Sequence, residues 1–109
     1  MSAQPPSIRR RERLLVGVTI AAKELRSRLT FEAWISNICA DGCRLETNVV
    51  VAAHDQLLIK LPQLESWRGT VVWRSAGALG LSFDQPLHQA VVEHYANKFP
   101  PPRPQQETD

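Results

Sequence analysis

An arginine cluster near the start of the chain holds the side chains best suited to binding an anion. Four of the thirteen basic residues lie in the stretch Arg9-Arg10-Arg11-Glu12-Arg13. A guanidinium group is planar and always charged, donates two parallel hydrogen bonds to a phosphate, and stacks on the face of a base. Arg9 and Arg13 therefore suit a small ligand that contains both phosphates and purines. Most charge runs are solvated segments, so the cluster alone leaves that alternative open.

A second group of chemically capable residues occupies positions 37–42, which read Asn-Ile-Cys-Ala-Asp-Gly. Asn37 and Cys39 are two residues apart, so in an extended strand both side chains emerge on the same side. Asp41-Gly42 is predicted to form a tight turn, because glycine tolerates positive φ and aspartate bonds to its own backbone. The pattern thus predicts a strand that presents Asn37 and Cys39 together as it enters a turn.

Residues for catalysis are sparse. Cys39 as a nucleophile would need a histidine base and a third group to orient that base. The three histidines, His54, His88 and His94, are scattered along the sequence. No pair of carboxylates is evident at a shared strand end. We therefore expect a protein without enzyme activity.

The two cysteines, Cys39 and Cys43, flank the predicted turn. In a reducing cytosol such thiols are expected to stay free rather than form a disulfide. A zinc site needs four ligands, usually in paired clusters, and the nearest histidine is the isolated His54. We accordingly expect neither a metal nor a cofactor.

Strands are predicted to position these residues. Around the turn, Phe31, Ala33 and Ile35 alternate with polar neighbours, and the alternation resumes with Cys43 and Leu45. Short strands separated by turn signals indicate a barrel or a sandwich. The six predicted strands are Leu15–Ala22, the two segments flanking Asp41-Gly42, Leu57–Leu61, Arg68–Arg74 and Leu79–Phe83. Residues 23–28 are predicted to form a charged connection after the first strand.

A single helix is predicted after the strands. Pro86 suits its first position, where a missing N–H costs nothing. Such a helix would cover an open end or an exposed edge of the barrel. Its apolar face is predicted to comprise Leu87, Ala90, Val91, His94 and Tyr95, with His94 as a packing residue.

The 109 residues imply one domain, and 43% apolar residues are ordinary for a globular protein. We predict a flexible tail over residues 1–7, a domain over 8–98, and a disordered Pro-rich tail over 99–109. There is no signal peptide and no long apolar run, so we expect a cytoplasmic protein without membrane insertion. The net charge of +2 does not indicate a general coat for DNA or RNA.

Both functional motifs resemble signatures of the PilZ domain family. Asn37-x-Cys39-x-x-Gly42 is similar to the family pattern Asp/Asn-x-Ser-x-x-Gly, with Cys39 in place of the serine. Arg9-x-x-x-Arg13 is similar to the family's Arg-x-x-x-Arg pattern, and residues 67–74 and 79–84 are also PilZ-like. The resemblance covers residues 8–98 and implies an all-β fold, a six-stranded antiparallel barrel with one C-terminal helix.

The resemblance also implies a receptor for cyclic di-GMP, a bacterial second messenger. Arg9 and Arg13 would hold phosphate and guanine, while Asn37 and Cys39 would meet the guanine edge. The arginine leader is expected to become ordered over the barrel when the ligand binds. In the same carry-over, Gly42 would allow close approach of the backbone, and Arg10 and Arg11 would be accessory.

Two alternatives remain at the sequence level. One is a degenerate PilZ-like adaptor that binds proteins and has lost the ligand, an alternative that Cys39 keeps open. The other is a single-stranded nucleic-acid binder, which is disfavoured because aromatic residues are only 6% and the basic residues cluster at one end. A lone domain of this size has no room for an output module, so we expect a monomer that acts through an unidentified effector protein.

Overall fold

The computed structural model describes residues 13–102, which fold into a six-stranded barrel and one helix. Each of the six predicted strands is present, and the all-β fold with a C-terminal helix is confirmed. The elements are β1 (Leu14–Glu24), β2 (Thr30–Cys39), β3 (Gly42–Glu46), β4 (Gln56–Lys60), β5 (Ser66–Ser75), β6 (Ala78–Phe83) and α1 (Gln89–Lys98).

The strands form a closed antiparallel barrel in the order β1-β2-β3-β6-β5-β4, with β4 paired back to β1. The closure is short, because only residues 22–24 of β1 pair with β4. Nearer the start of β1, the Gly17 N–H instead donates to the carbonyl oxygen of Phe99 at 2.9 Å. The segment after α1 thus continues the backbone hydrogen bonding where β4 does not reach.

Aliphatic side chains fill the interior of the barrel. Burying one such side chain fully contributes about 1.5–3 kcal/mol relative to leaving it exposed. Every strand contributes to this core, so packing on the inner face fixes the positions of the strands whose outer face is exposed. Among the residues with at most 2% exposure are Val16, Ile35, Leu45, Ile59, Val71 and Leu81.

Helix α1 begins later than predicted. Gln89 is its first residue, and His88 is its N-cap, with Nδ1 accepting a hydrogen bond from the Ala90 N–H at 3.0 Å. The prediction that Pro86 occupies the first helical position is therefore wrong. A capping side chain that satisfies a free N–H, rather than the fixed φ of proline, sets the start.

The later start also changes the apolar face of α1. Val92 and Tyr95 are buried, and Ala96 and Phe99 pack against the same core, at the spacing i, i+3, i+4, i+7. The Tyr95 hydroxyl donates to the Pro62 carbonyl at 2.6 Å. The predicted face was therefore wrong for Ala90 and His94, whose side chains are exposed.

The contacts of the barrel continue past Lys98, the residue at which we predicted the domain to end. Phe99 packs against the core, and the Pro102 ring lies beside Gly17 of β1. The predicted tail over residues 1–7 and the part of the Pro-rich tail from residue 103 lie outside the described residues. No helix within residues 13–102 has both the length and the apolar character needed to cross a membrane.

Candidate functional site

One hydrogen bond joins the two sequence motifs. Arg13 precedes β1 directly, and its Nη1 donates to Oδ1 of Asn37 in β2 at 2.7 Å, across a separation of 24 residues. The pairing of β1 with β2 brings them together, with Leu15 opposite Asn37. Because Asn37 is an uncharged acceptor, this contact orients the guanidinium without neutralising it.

A bulge in β2 determines which way the site residues face. The pairing of β2 with β3 shifts register between Ile35 and Asn37, so Ser36 is an extra residue. Ile35 and Ile38 are each 1% exposed and both face the core, although they are three residues apart. Asn37 and Cys39 therefore lie on the outer face, whereas an unbroken alternation would turn them inward. Bulges commonly redirect side chains beside functional sites in this way.

The turn after β2 differs from its prediction. Ala40 and Asp41 form it, while Gly42 is the first residue of β3, paired with Cys39 and with Ser82. The prediction that Gly42 supplies a positive φ is wrong, because Gly77 is the glycine with that conformation in the described chain. Gly42 is required for space instead: a Cβ there would clash with the main-chain carbonyl oxygen of Leu81.

The turn is held from outside β2 and β3 as well. The Phe83 N–H donates to the Asp41 carbonyl at 2.7 Å, and the Leu87 N–H donates to the Ala40 carbonyl at 2.8 Å. The turn is thus fixed by the chain that leads into α1. The two hydrogen bonds therefore fix the backbone of the turn relative to β6 and the segment before α1.

A shallow pocket of about 240 Å³ opens beside this turn on the outer face of the barrel. Arg13 and Cys39 line one side of it, and Trp73 and Ser82 line the other. Asn37 does not line the pocket but reaches it through its hydrogen bond to Arg13. A charged guanidinium, the carboxylate of Asp41, a thiol, a hydroxyl and an indole thus surround one cavity.

Trp73 is a member of this site that the arginine and turn motifs did not identify. It faces outward because β5 has a bulge between Val71 and Trp73, and it pairs with Gly80 of β6. The indole lies flat over Gly80, where any Cβ would overlap it. The Arg44 guanidinium lies 5.7 Å from the ring centroid, within the range of a cation–π interaction. Trp73 remains 39% exposed and lines the pocket.

The two cysteines occupy opposite faces of the sheet. Both are free thiols, as predicted. Cys43 points into the core, and burial raises the pKa of its thiol to about 12, with a smaller contribution from the neighbouring Cys39. Cys39 is 5% exposed and lines the outer pocket. Side chains that point to opposite faces cannot approach each other in disulfide geometry.

A second polar cluster was not foreseen. Lys23 and Glu24 belong to β1 rather than to the predicted charged connection. Glu24 is 7% exposed and shares the guanidinium of Arg26 with Asp55, at 3.6 Å and 3.2 Å respectively. A side-chain hydrogen bond shared with Glu24, followed by one donated by the Ala52 backbone N–H, lowers the pKa of Asp55. The inference that no carboxylates pair at a strand end is therefore wrong.

The remaining predicted site residues, Arg9, Arg10 and Arg11, lie outside the described residues. Within residues 13–102, no three histidine, cysteine, aspartate or glutamate side chains are grouped closely enough to hold a metal ion. Comparison with known proteins adds no relative, since no family model and no curated protein matches the chain.

Proposed function

We propose that this protein is a receptor for cyclic di-GMP and that the ligand binds at the outer pocket beside the turn. The observation that supports this most directly is the 2.7 Å hydrogen bond between Arg13 and Asn37. It places residues from two separate PilZ-like motifs at one site, which a chance match of either motif does not require. The pocket beside them combines a cation for phosphate with polar groups for a base edge.

In this proposal each side chain has a defined task. Arg13 binds a phosphate or the O6 and N7 acceptors of guanine, while Asn37 fixes the orientation of its guanidinium. Cys39 meets the guanine edge, and Arg9, with Arg10 and Arg11 as accessory cations, approaches from the leader. Gly42 lets β3 lie close to the Leu81 carbonyl of β6 and so holds the turn beside the pocket.

Trp73 and Arg44 supply a stacking surface for a purine. The exposed indole and the guanidinium near it present flat groups next to the pocket. Stacking of one base on such a surface contributes about 1–3 kcal/mol. The described residues thus offer both of the interactions that a guanine nucleotide needs, hydrogen bonding at its edge and contact with its face.

The proposal includes a sensing role without catalysis, in the cytoplasm of a bacterium, with output through a partner protein. DNA and RNA are not proposed as partners, because Trp73 is the one aromatic side chain among the described residues that lines this pocket, whereas a single-strand binder needs several aromatics interleaved with basic groups along a groove.

A protein-interaction adaptor without ligand is the second candidate. Its specific support is Cys39, whose thiol is a weaker hydrogen-bond donor and acceptor than the serine hydroxyl of the PilZ pattern. The exposed apolar side chains of Leu15 and Val72 on the same outer face also fit a protein contact.

Isothermal titration calorimetry of the full chain with cyclic di-GMP, GTP and a short single-stranded oligonucleotide distinguishes these candidates. We expect heat and saturation with cyclic di-GMP alone. An Arg13→Lys variant keeps the charge but loses the planar fork, so it should bind more weakly than wild type. Absence of cyclic di-GMP binding would refute the proposed function and favour the adaptor, while binding to the oligonucleotide would indicate the nucleic-acid class.

A further inference from the structure

The pocket formed by the described residues is too small for a whole molecule of cyclic di-GMP. Its volume is about 240 Å³, whereas pockets that enclose most of a drug-sized ligand span roughly 300–1,000 Å³. Cyclic di-GMP consists of two guanosine units joined through two phosphates. The cavity therefore has room for about one guanine and the adjoining phosphate, and the other half of the ligand projects outward.

The projecting half has the same chemistry as the bound half, because cyclic di-GMP has two-fold symmetry. A surface that recognises it needs the same groups as the first pocket. A second copy of this chain provides that surface without any further protein. A two-fold symmetric ligand also matches an isologous dimer, in which the same patch of each subunit faces its equivalent.

The outer face around the pocket has the apolar groups that such a contact requires. Of the five large hydrophobic residues with the highest exposure in the described chain, three are on this face: Leu15 at 65%, Val72 at 54% and Trp73 at 39%. Leu15 and Trp73 lie near opposite ends of one cross-strand row, in which Asn37, Arg44 and Gly80 are the intervening partners.

The charges on this face explain why the contact would depend on the ligand. Arg13 lines the pocket together with Asp41 and has no carboxylate within ion-pair distance among the described residues, so its guanidinium is the group there that attracts a phosphate. One cyclic di-GMP brings two phosphate charges between two such faces. The ligand thus adds two charge-assisted contacts that the empty faces lack.

We infer that cyclic di-GMP bridges two copies of this chain, one guanine in each pocket, to form a symmetric dimer. This inference rests on the proposed function. It leaves the empty protein a monomer, as expected from the sequence, and makes the assembly itself the output that an effector protein would recognise.

Sedimentation velocity of the full chain over a cyclic di-GMP titration tests the inference. We expect the mass to double as one ligand is added per two chains. A large excess of ligand should then return the monomer, because each pocket fills with its own molecule. This rise and fall is specific to bridging. A protein that binds one ligand per chain and stays monomeric at every concentration would overturn the inference but not the proposed function, while absence of any binding would overturn both.

A matched pair of variants tests the surface. Leu15 does not line the pocket, so Leu15→Ser should retain binding of the ligand to the monomer while weakening dimerisation by at least about tenfold. The control is Val50→Ser, at an exposed residue (80%) that lines a different cavity, between residues 47–51 and 74–79. Circular dichroism melting verifies that both variants fold. Equal dimerisation of Leu15→Ser and wild type would overturn this placement of the interface.

Discussion

Two arginines flank strand β1 and have opposite kinds of partner. Arg26, two residues after the strand, lies between the carboxylates of Glu24 and Asp55. Arg13, immediately before it, donates to the neutral amide of Asn37. The first guanidinium is neutralised by its own protein, whereas the second is positioned by its protein and keeps its charge. The partner, rather than the arginine, therefore distinguishes a structural cation from one available to a ligand.

The sites of Arg26 and Arg13 also differ in burial. Glu24 and Asp55 are nearly buried, with side-chain exposures of 9% and 11%, and the cluster lies where β1 and β4 close the barrel. Arg13 is exposed and lines an open pocket with a tryptophan on its far side. A buried carboxylate pair needs a cation for stability, while the exposed guanidinium of Arg13 is held by a neutral amide.

The largest expected effect concerns ligand affinity at Arg13. Arg13→Ala should weaken cyclic di-GMP binding by about ten- to a hundredfold, because charge-assisted hydrogen bonds of about 1.5–3 kcal/mol are lost. Calorimetry measures it. Arg26→Ala is the matched control and should bind like wild type. Equal losses in the two variants would contradict the distinction between the clusters.

Stability should respond in the reverse order. Arg26→Ala leaves two carboxylates without their shared cation, and we expect a loss of about 1 kcal/mol, since 72% of the arginine side chain is in solvent and its charge is screened. For a domain of this size that lowers Tm by about 4–8 °C. Arg13→Ala should leave Tm nearly unchanged. Thermal melting by circular dichroism compares them, and an equally large drop for Arg13→Ala would show that its contact with Asn37 is structural.

The two cysteines, Cys39 at the pocket and Cys43 in the core, permit a finer comparison. Cys39→Ser should tighten cyclic di-GMP binding by about two- to tenfold, because a hydroxyl makes a normal hydrogen bond of about 0.5–1.5 kcal/mol where a thiol makes a poor one. Cys43→Ser is the control on the core side and should lower stability, since it buries a hydroxyl among apolar groups. Lost stability without tighter binding in Cys39→Ser would show that its thiol is a packing group.

The smallest effect is a dependence of stability on acid pH. The pKa of Asp55 is lower in the folded chain than in the unfolded one, so its contribution is complete above its ordinary pKa and disappears as the pH falls through the folded value. We expect Tm to decline as the solution is acidified below about pH 4. Asp55→Asn should show a shallower decline over that range. A wild-type and variant pair with parallel profiles would remove Asp55 as the cause.

The sequence predicted the strands better than it predicted which face of the sheet each side chain occupies. Alternation located all six strands, but it cannot show where an extra residue is inserted. The one available indication was the spacing of Ile35 and Ile38, both apolar and three residues apart, which breaks a period of two. Neither the bulge at Ser36 nor the one before Trp73 was anticipated. Because each bulge turns a site residue outward, alternation alone could not assign Trp73 to the outer face, and the sequence left it as a packing aromatic that could alternatively contact a base.

The other discrepancies arise from contacts between distant segments. Gly42 was assigned to a turn by its type, yet the carbonyl of Leu81, on another strand, is what excludes a side chain there. Glu24 and Asp55 are far apart in sequence and meet only because β1 pairs with β4. The start of α1 depends on the hydrogen bond that the His88 side chain accepts from the Ala90 N–H. This bond competes with the preference of Pro86 for the first helical position. Local sequence propensity does not account for such contacts.

The position of Trp73 has a spectroscopic consequence. All three tryptophans of the sequence lie in the described chain, in three different environments. Trp34 lies against Gly17, and Trp67 donates its indole N–H to the Gln85 carbonyl at 2.9 Å. Trp73 alone lines the pocket beside the turn, half open to water. The intrinsic fluorescence of the unlabelled chain therefore contains one emitter whose quenching and spectral shift report occupancy of that pocket, against two that serve as an internal reference.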